Sequence, residues 1–260
     1  MPNRALVLKD CRQWRQKVLK CTAAYFDRSV LDWIKYNPPR YFVNDKLDWL
    51  EEAVYAVKQC CVISKAALAD ALPAEFDFIR GYHGCRIESK DSYQQLGIRP
   101  SDPARLQAQA LRLFGDSARI REVFAELNRT DDDYESHNRG KTFFCWDKEE
   151  FIEECGHYLL YGSEYLLCVA NRIGKAHVLR TTGKATIIEC DVPLSYIPRD
   201  YLEEICGYLL CEIAERYVTR RSGFDGGGFY ITRDLEPRHI VAFHHPTGIR
   251  NPHNLNLRED

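Results

Sequence analysis

Few residues in this chain have types and spacing that point to chemistry. Tyr82-His83-Gly84-Cys85-Arg86 follows the alternating run Phe76-Asp77-Phe78-Ile79-Arg80. That pattern predicts a strand that delivers a histidine and a glycine to the floor of a cleft. A histidine can hydrogen-bond through either ring nitrogen, and a glycine has no Cβ to hold a ligand off the backbone. Tyr158, Tyr161 and Tyr165 recur at intervals of three and four, so they share one face of a predicted helix. Such a face either packs a core with its hydroxyls at the edge or makes a stacking wall for a flat heteroaromatic ring. Glu164 stands between Tyr161 and Tyr165.

The 11 cysteines include no Cys-x-x-Cys pair, and Cys155-Gly156-His157 is too tight for a zinc spacing. Cys60, Cys61, Cys168, Cys206 and Cys211 lie in apolar runs, where a free thiol behaves as a small buried hydrophobe. The expectation is therefore core thiols in a reducing, cytoplasmic setting, with no metal. The N-terminus meets a charge at Arg4 and again at Lys9, too soon for the apolar core of a signal peptide.

These residues need elements to hold them. A chain of 260 residues, 45% hydrophobic and 28% charged, buries a substantial core as one large domain, or as one domain with an appended helical region. The net charge of -2 provides no global field for nucleic acid or anionic membrane. No apolar run is long enough to span a bilayer. Residues 5–36 carry a helical period and end at Pro38-Pro39; further helices are expected from Asp45 to Val62 and from Ser64 to Leu72, before Pro73. Positions 1–40 hold nine Lys/Arg against three acids, with Trp14, Tyr25, Phe26 and Trp33 interleaved. This is either a solvated basic face or a surface for RNA, DNA or an acidic partner.

Beyond the His83 strand, Ser101-Asp102-Pro103 starts a helix that stops at Gly115, and another covers Ser117–Leu127. Asn128–Lys141 reads as a polar loop, Thr142–Trp146 as a short buried strand, and Asp147 as the cap of the next helix. A strand over 185–194, a helix over 199–221 and a glycine-rich loop at 223–228 follow. Then come strands from Phe229 and into Phe243, with the tail from His244 read as irregular surface chain.

In this order the elements resemble the ADP-ribosyltransferase superfamily of the His-Tyr-Glu type over residues 76–245. Tyr82-His83-Gly84 is similar to the family's His-Gly-Thr/Ser strand, with Cys85 in the hydroxyl position, and Leu96-Gly97-Ile98-Arg99-Pro100 resembles the loop beyond it. Thr142-Phe143-Phe144-Cys145-Trp146-Asp147 resembles the family's Tyr-Phe-Ala-Asp strand, and Gly228–Ile231 through Pro237-x-x-Ile240 its closing hairpin. The resemblance implies an α+β fold with a split β-sandwich core at 75–260, preceded by a helical region at 1–74. It implies NAD as substrate, with His83 on the adenine-side ribose, Gly84 and Cys85 at the nicotinamide amide, and Arg86 on the pyrophosphate. One of Tyr158, Tyr161 and Tyr165 would stack on nicotinamide. The family's closing-strand glutamate is replaced by Phe229, so Glu164 takes the catalytic role, with Glu189 and Glu236 as alternatives.

The implied function is a toxin-like mono-ADP-ribosyltransferase, of the kind found in toxin–antitoxin and phage-defence modules. It would cleave the nicotinamide–ribose bond and pass ADP-ribose to RNA or DNA in preference to protein, with an antitoxin-like inhibitor protein as a further partner. The alternatives are NAD hydrolysis or RNA 2'-phosphotransfer on the same fold, or an inactive binding module.

Overall fold

The structure is a computed structural model that describes residues 4–129, 139–221, 223, 226–251 and 254–259. The polar loop expected at 128–141 lies mostly outside the described residues, as do Phe224 and Asp225 of the glycine-rich loop. Helices and antiparallel strands combine in an α+β fold. The chain divides into two compact units, residues 1–80 with 192–226 and residues 81–191 with 227–260. The expected boundary at 74/75 is thus displaced, and the helix expected over 199–221 belongs with the N-terminal helices. No described helix is long and apolar enough to cross a membrane.

In the first unit, β1 (Ala5–Leu6) pairs in parallel with the start of β2 (Phe78–Ile87), Ala5 opposite Phe78. The single helix expected over 5–36 is two, α1 (Cys11–Cys21) and α2 (Arg28–Tyr36). Asp27 makes the break, because its carboxylate accepts from the N–H groups of Ser29 and Val30, satisfying orphan donors of a new helix. Tyr25 and Phe26 are buried in the turn, so the apolar period runs on through the break. Then come α3 (Asp48–Lys58) and α4 (Ser64–Ala71). The long α12 (Arg199–Thr219) packs on α4 and α2 and is buried from Leu202 to Ala214 apart from its polar flank. Gly207 allows the approach of α12 to the preceding chain: a Cβ there would lie 2.5 Å from the Asn44 carbonyl oxygen.

In the second unit a short α5 (Asp91–Leu96) leads to α6 (Pro103–Phe114) and α7 (Ala118–Arg129). β3 (Thr142–Cys145), α8 (Lys148–Glu153), α9 (Gly156–Tyr161), α10 (Glu164–Arg172), α11 (Ala176–Thr181) and β4 (Lys184–Pro193) follow. β5 (Gly228–Ile231) and β6 (Ile240–His244) complete a sheet in the order β5-β3-β2-β4-β6, with β1 beside β2. In place of two separate sheets there is one hydrogen-bonded path, because the ten-residue strands β2 and β4 join the halves. The tail expected to be irregular forms a hairpin, β7 (Ile249–Asn251) with β8 (Asn254–Glu259). Its anchor is Ile249, buried beside Phe151, Leu159, Leu160 and Ile187.

The tyrosine face is interrupted. Gly162 has φ +81°, a left-handed conformation that ends α9, and the Ser163 hydroxyl accepts from Leu166 N–H to start α10. Tyr158 and Tyr161 therefore stand on one helix and Tyr165 on the next.

Candidate functional site

The middle of β2 holds the proposed binding residues, and the pleat turns alternate side chains to opposite faces. On one face, a Cβ at Gly81 would lie 2.9 Å from the Phe229 ring and 3.0 Å from Phe144 Cβ. Those two rings stack 5.4 Å apart across the glycine. His83 shares this face, its ring 5.8 Å from that of Phe144. The His83 Nδ1 lies 3.0 Å from the Phe143 carbonyl oxygen. A carbonyl only accepts, so Nδ1 carries the proton and Nε2 is left as an acceptor. Burial pulls the imidazole's pKa below its ordinary value, against the opposing effect of the Phe143 hydrogen bond, which keeps the ring neutral.

Three expectations for this strand are corrected. The space a Cβ would take at Gly84 is filled by Phe151, whose ring lies 2.6 Å from that position. The glycine therefore admits a side chain of the protein rather than a ligand from that face. Cys85 is 5% exposed, and burial pushes its thiol up to about 12, only partly offset by its hydrogen bond with Tyr93. Its partner is thus internal. Arg86 does not hold its guanidinium out for a pyrophosphate. It donates to the main-chain carbonyls of Thr182 (2.8 Å), Leu159 (3.0 Å), Arg180 (2.6 Å) and Gly183 (2.7 Å). An arginine has five N–H donors, and these bonds occupy four of them.

The opposite face of β2 carries a run of ring contacts that ends in an acid. Phe151, over Gly84, meets Tyr158 edge-on at 6.2 Å. Tyr158 lies 4.1 Å from the His157 ring. The His157 Nε2 is 3.0 Å from Glu164 Oε1. Both members of that pair are about a quarter exposed, at 21% and 25%, and burial raises the Glu164 pKa. Desolvation also pushes the Tyr158 hydroxyl up to about 12. A run of contacts thus leads from Gly84 through Phe151 and Tyr158 to Glu164, and it adds His157, which the sequence reading passed over as part of a cysteine spacing. Tyr161 and Tyr165 lie against the cluster of Phe114, Phe124, Leu166 and Leu167 formed by α6, α7 and α10, and Tyr161 shares with Tyr158 the cluster of Phe151, Leu159, Leu160, Ile187 and Ile249.

At the closing-strand position of the sought acid stands Phe229, 1% exposed. Glu189 pairs with His244 across β4 and β6 at 2.7 Å, and Glu236 pairs with Arg238 at 2.8 Å. The side chain that reaches the start of β5 is Glu150, whose Oε2 accepts from Gly227 N–H at 3.0 Å. Glu150 also comes together with Cys145 and Cys155, all three half-buried, with donor atoms within 4.8 Å of one another. The five-residue intervals of this trio cross a strand end and a helix, so a search for close cysteine pairs misses it.

Three of the nine basic residues of the N-terminal region form ion pairs. Lys20 meets Glu75 at 2.5 Å, Arg4 meets Asp77 at 3.3 Å and Arg28 meets Asp32 at 3.2 Å. Trp14 and Phe26 are fully buried and Tyr25 nearly so, which removes them as stacking platforms. Cys60 and Cys61, expected in the core, are exposed, because α3 ends at Lys58 before reaching them. Set against protein-family models, curated proteins and solved structures, the chain matches none of them.

Proposed function

We propose that this chain is an NAD-dependent mono-ADP-ribosyltransferase that passes ADP-ribose to a macromolecular acceptor, nucleic acid or protein. The observation that carries the reading is the state of His83. A neutral ring with Nδ1 held by the Phe143 carbonyl offers Nε2 to a ribose hydroxyl, the role the resemblance gives it. The strand order supports the reading by setting β3 and β5, the strands that resemble the family's second and third motifs, on one side of β2.

In this mechanism the bond between nicotinamide and ribose breaks, and its electron pair leaves with nicotinamide. The acceptor's nucleophile bonds to the ribose carbon and its proton passes to the His157–Glu164 pair. The resemblance gives Glu164 the negative charge that steadies the cation developing at the ribose and Tyr158 the stacking on nicotinamide, both reached from the face of β2 opposite His83.

A second reading, a binding module without turnover, is favoured by one set of observations: Phe151 covers Gly84, and Arg86 is committed to four carbonyls. Nicotinamide release from NAD, measured with RNA, DNA or protein added, separates the two. Transfer predicts release that depends on an acceptor and falls by about a hundredfold or more in Glu164→Gln and in His83→Ala. No release with any acceptor would leave the binding module.

A further inference from the structure

We propose that Cys145, Glu150 and Cys155 form a zinc site whose fourth position is open to water or a ligand. Their donor atoms lie within 4.8 Å of one another. A tetrahedral zinc with bonds of about 2.0–2.3 Å sets its donors about 3.5 Å apart, so side-chain rotation of about 1 Å closes the trio around an ion. Two thiolates and a carboxylate suit zinc among the divalent ions.

The donors stand on ordered elements. Cys145 ends β3 and is paired with Tyr82 on β2 and Gly228 on β5. Asp147 caps α8 and so sets Glu150 in its first turn. The Cys155 N–H donates to the Glu150 carbonyl at 2.9 Å, which folds the second thiol back over the helix. Gly227 N–H holds Glu150 Oε2, fixing the carboxylate and leaving Oε1 to coordinate. An orienting bond of this kind is what supports metal ligands.

Zinc would displace the two thiol protons to solvent and neutralise most of the remaining charge, so binding weakens as pH falls.

The inference is independent of NAD chemistry and its test reads metal. The full-length chain, stripped of metal under reducing conditions and checked for native circular dichroism, is titrated with Zn²⁺ and separately with Co²⁺. The expected result is one equivalent bound, and a thiolate-to-cobalt charge-transfer band in the near ultraviolet. Cys145→Ser and Cys155→Ser each lose about half of that band. Glu150→Gln, the mildest change, keeps the band and weakens Zn²⁺ affinity about tenfold or more, whereas Cys60→Ser/Cys61→Ser changes neither. The proposal is overturned by the absence of a charge-transfer band, or by a band that survives in Cys145→Ser/Cys155→Ser. A Cys145–Cys155 disulfide in chain purified without reductant, with no metal bound by the reduced form, also overturns it.

Discussion

Replacing Arg86 by methionine tests whether this side chain serves the fold or a ligand. Methionine keeps an unbranched stem of similar reach and removes the guanidinium. Four hydrogen bonds are lost. Those to Thr182 at 2.8 Å and Leu159 at 3.0 Å are half-buried, and those to Arg180 at 2.6 Å and Gly183 at 2.7 Å are solvent-exposed. A hydrogen bond to a charged donor contributes about 1.5–3 kcal/mol when shielded, and water replaces the exposed pair at little cost. The shielded pair at the low end of that range sums to about 3 kcal/mol. Burial and the nearby Arg180 charge both disfavour the guanidinium slightly, so the net loss is about 2–3 kcal/mol. In a chain of this size that lowers the melting temperature by roughly 5–10 °C. Urea titrations followed by circular dichroism give the loss directly, and Arg86→Lys, which reaches fewer of the carbonyls with a compact ammonium, falls between the two. A change below about 0.5 kcal/mol would refute the clamp. An unchanged urea midpoint with weakened NAD binding would return Arg86 to the pyrophosphate.

Two further outcomes follow from β2. Gly84→Ala drives a methyl into Phe151, 2.6 Å away, and should destabilise by about 1–3 kcal/mol through overpacking. Phe151→Leu in the same chain should recover part of that loss in a double-mutant cycle, and a neutral Gly84→Ala would show that the ring does not sit there. His83 has a folded-state pKa below its unfolded value, so the unfolded chain takes up the proton first. Stability is then full above about pH 6.5 and falls as the pH drops from there toward the folded value. His83→Gln should flatten that part of the pH profile, and His239, also lowered by burial, supplies the remaining slope.

Much of the site's scaffold was legible in the sequence, because it rests on local signals. The alternation entering His83, the Asp147 cap and the Pro103 helix start all act within a few residues and recur in the structure. The errors share a different cause. The tyrosine helix is continuous by period, but a single positive φ at Gly162 divides it. Arg86 looked like a free cation because its partners lie 73 to 97 residues away. The tail hairpin depends on Ile249 finding a cluster of residues from 151 to 187.

The sequence by itself determined the α+β pattern, the order of β2 to β6 along the chain and the delivery of His83 and Gly84 by a strand. Side-chain periodicity and capping are properties of neighbours, so they can be read without the fold. Only the tertiary structure decided what each polar group meets. It aimed Arg86 at carbonyls, joined His157 to Glu164, put Phe151 over Gly84 and gathered Cys145, Glu150 and Cys155. These are contacts between elements whose spacing along the chain carries no period, and packing alone brings them together.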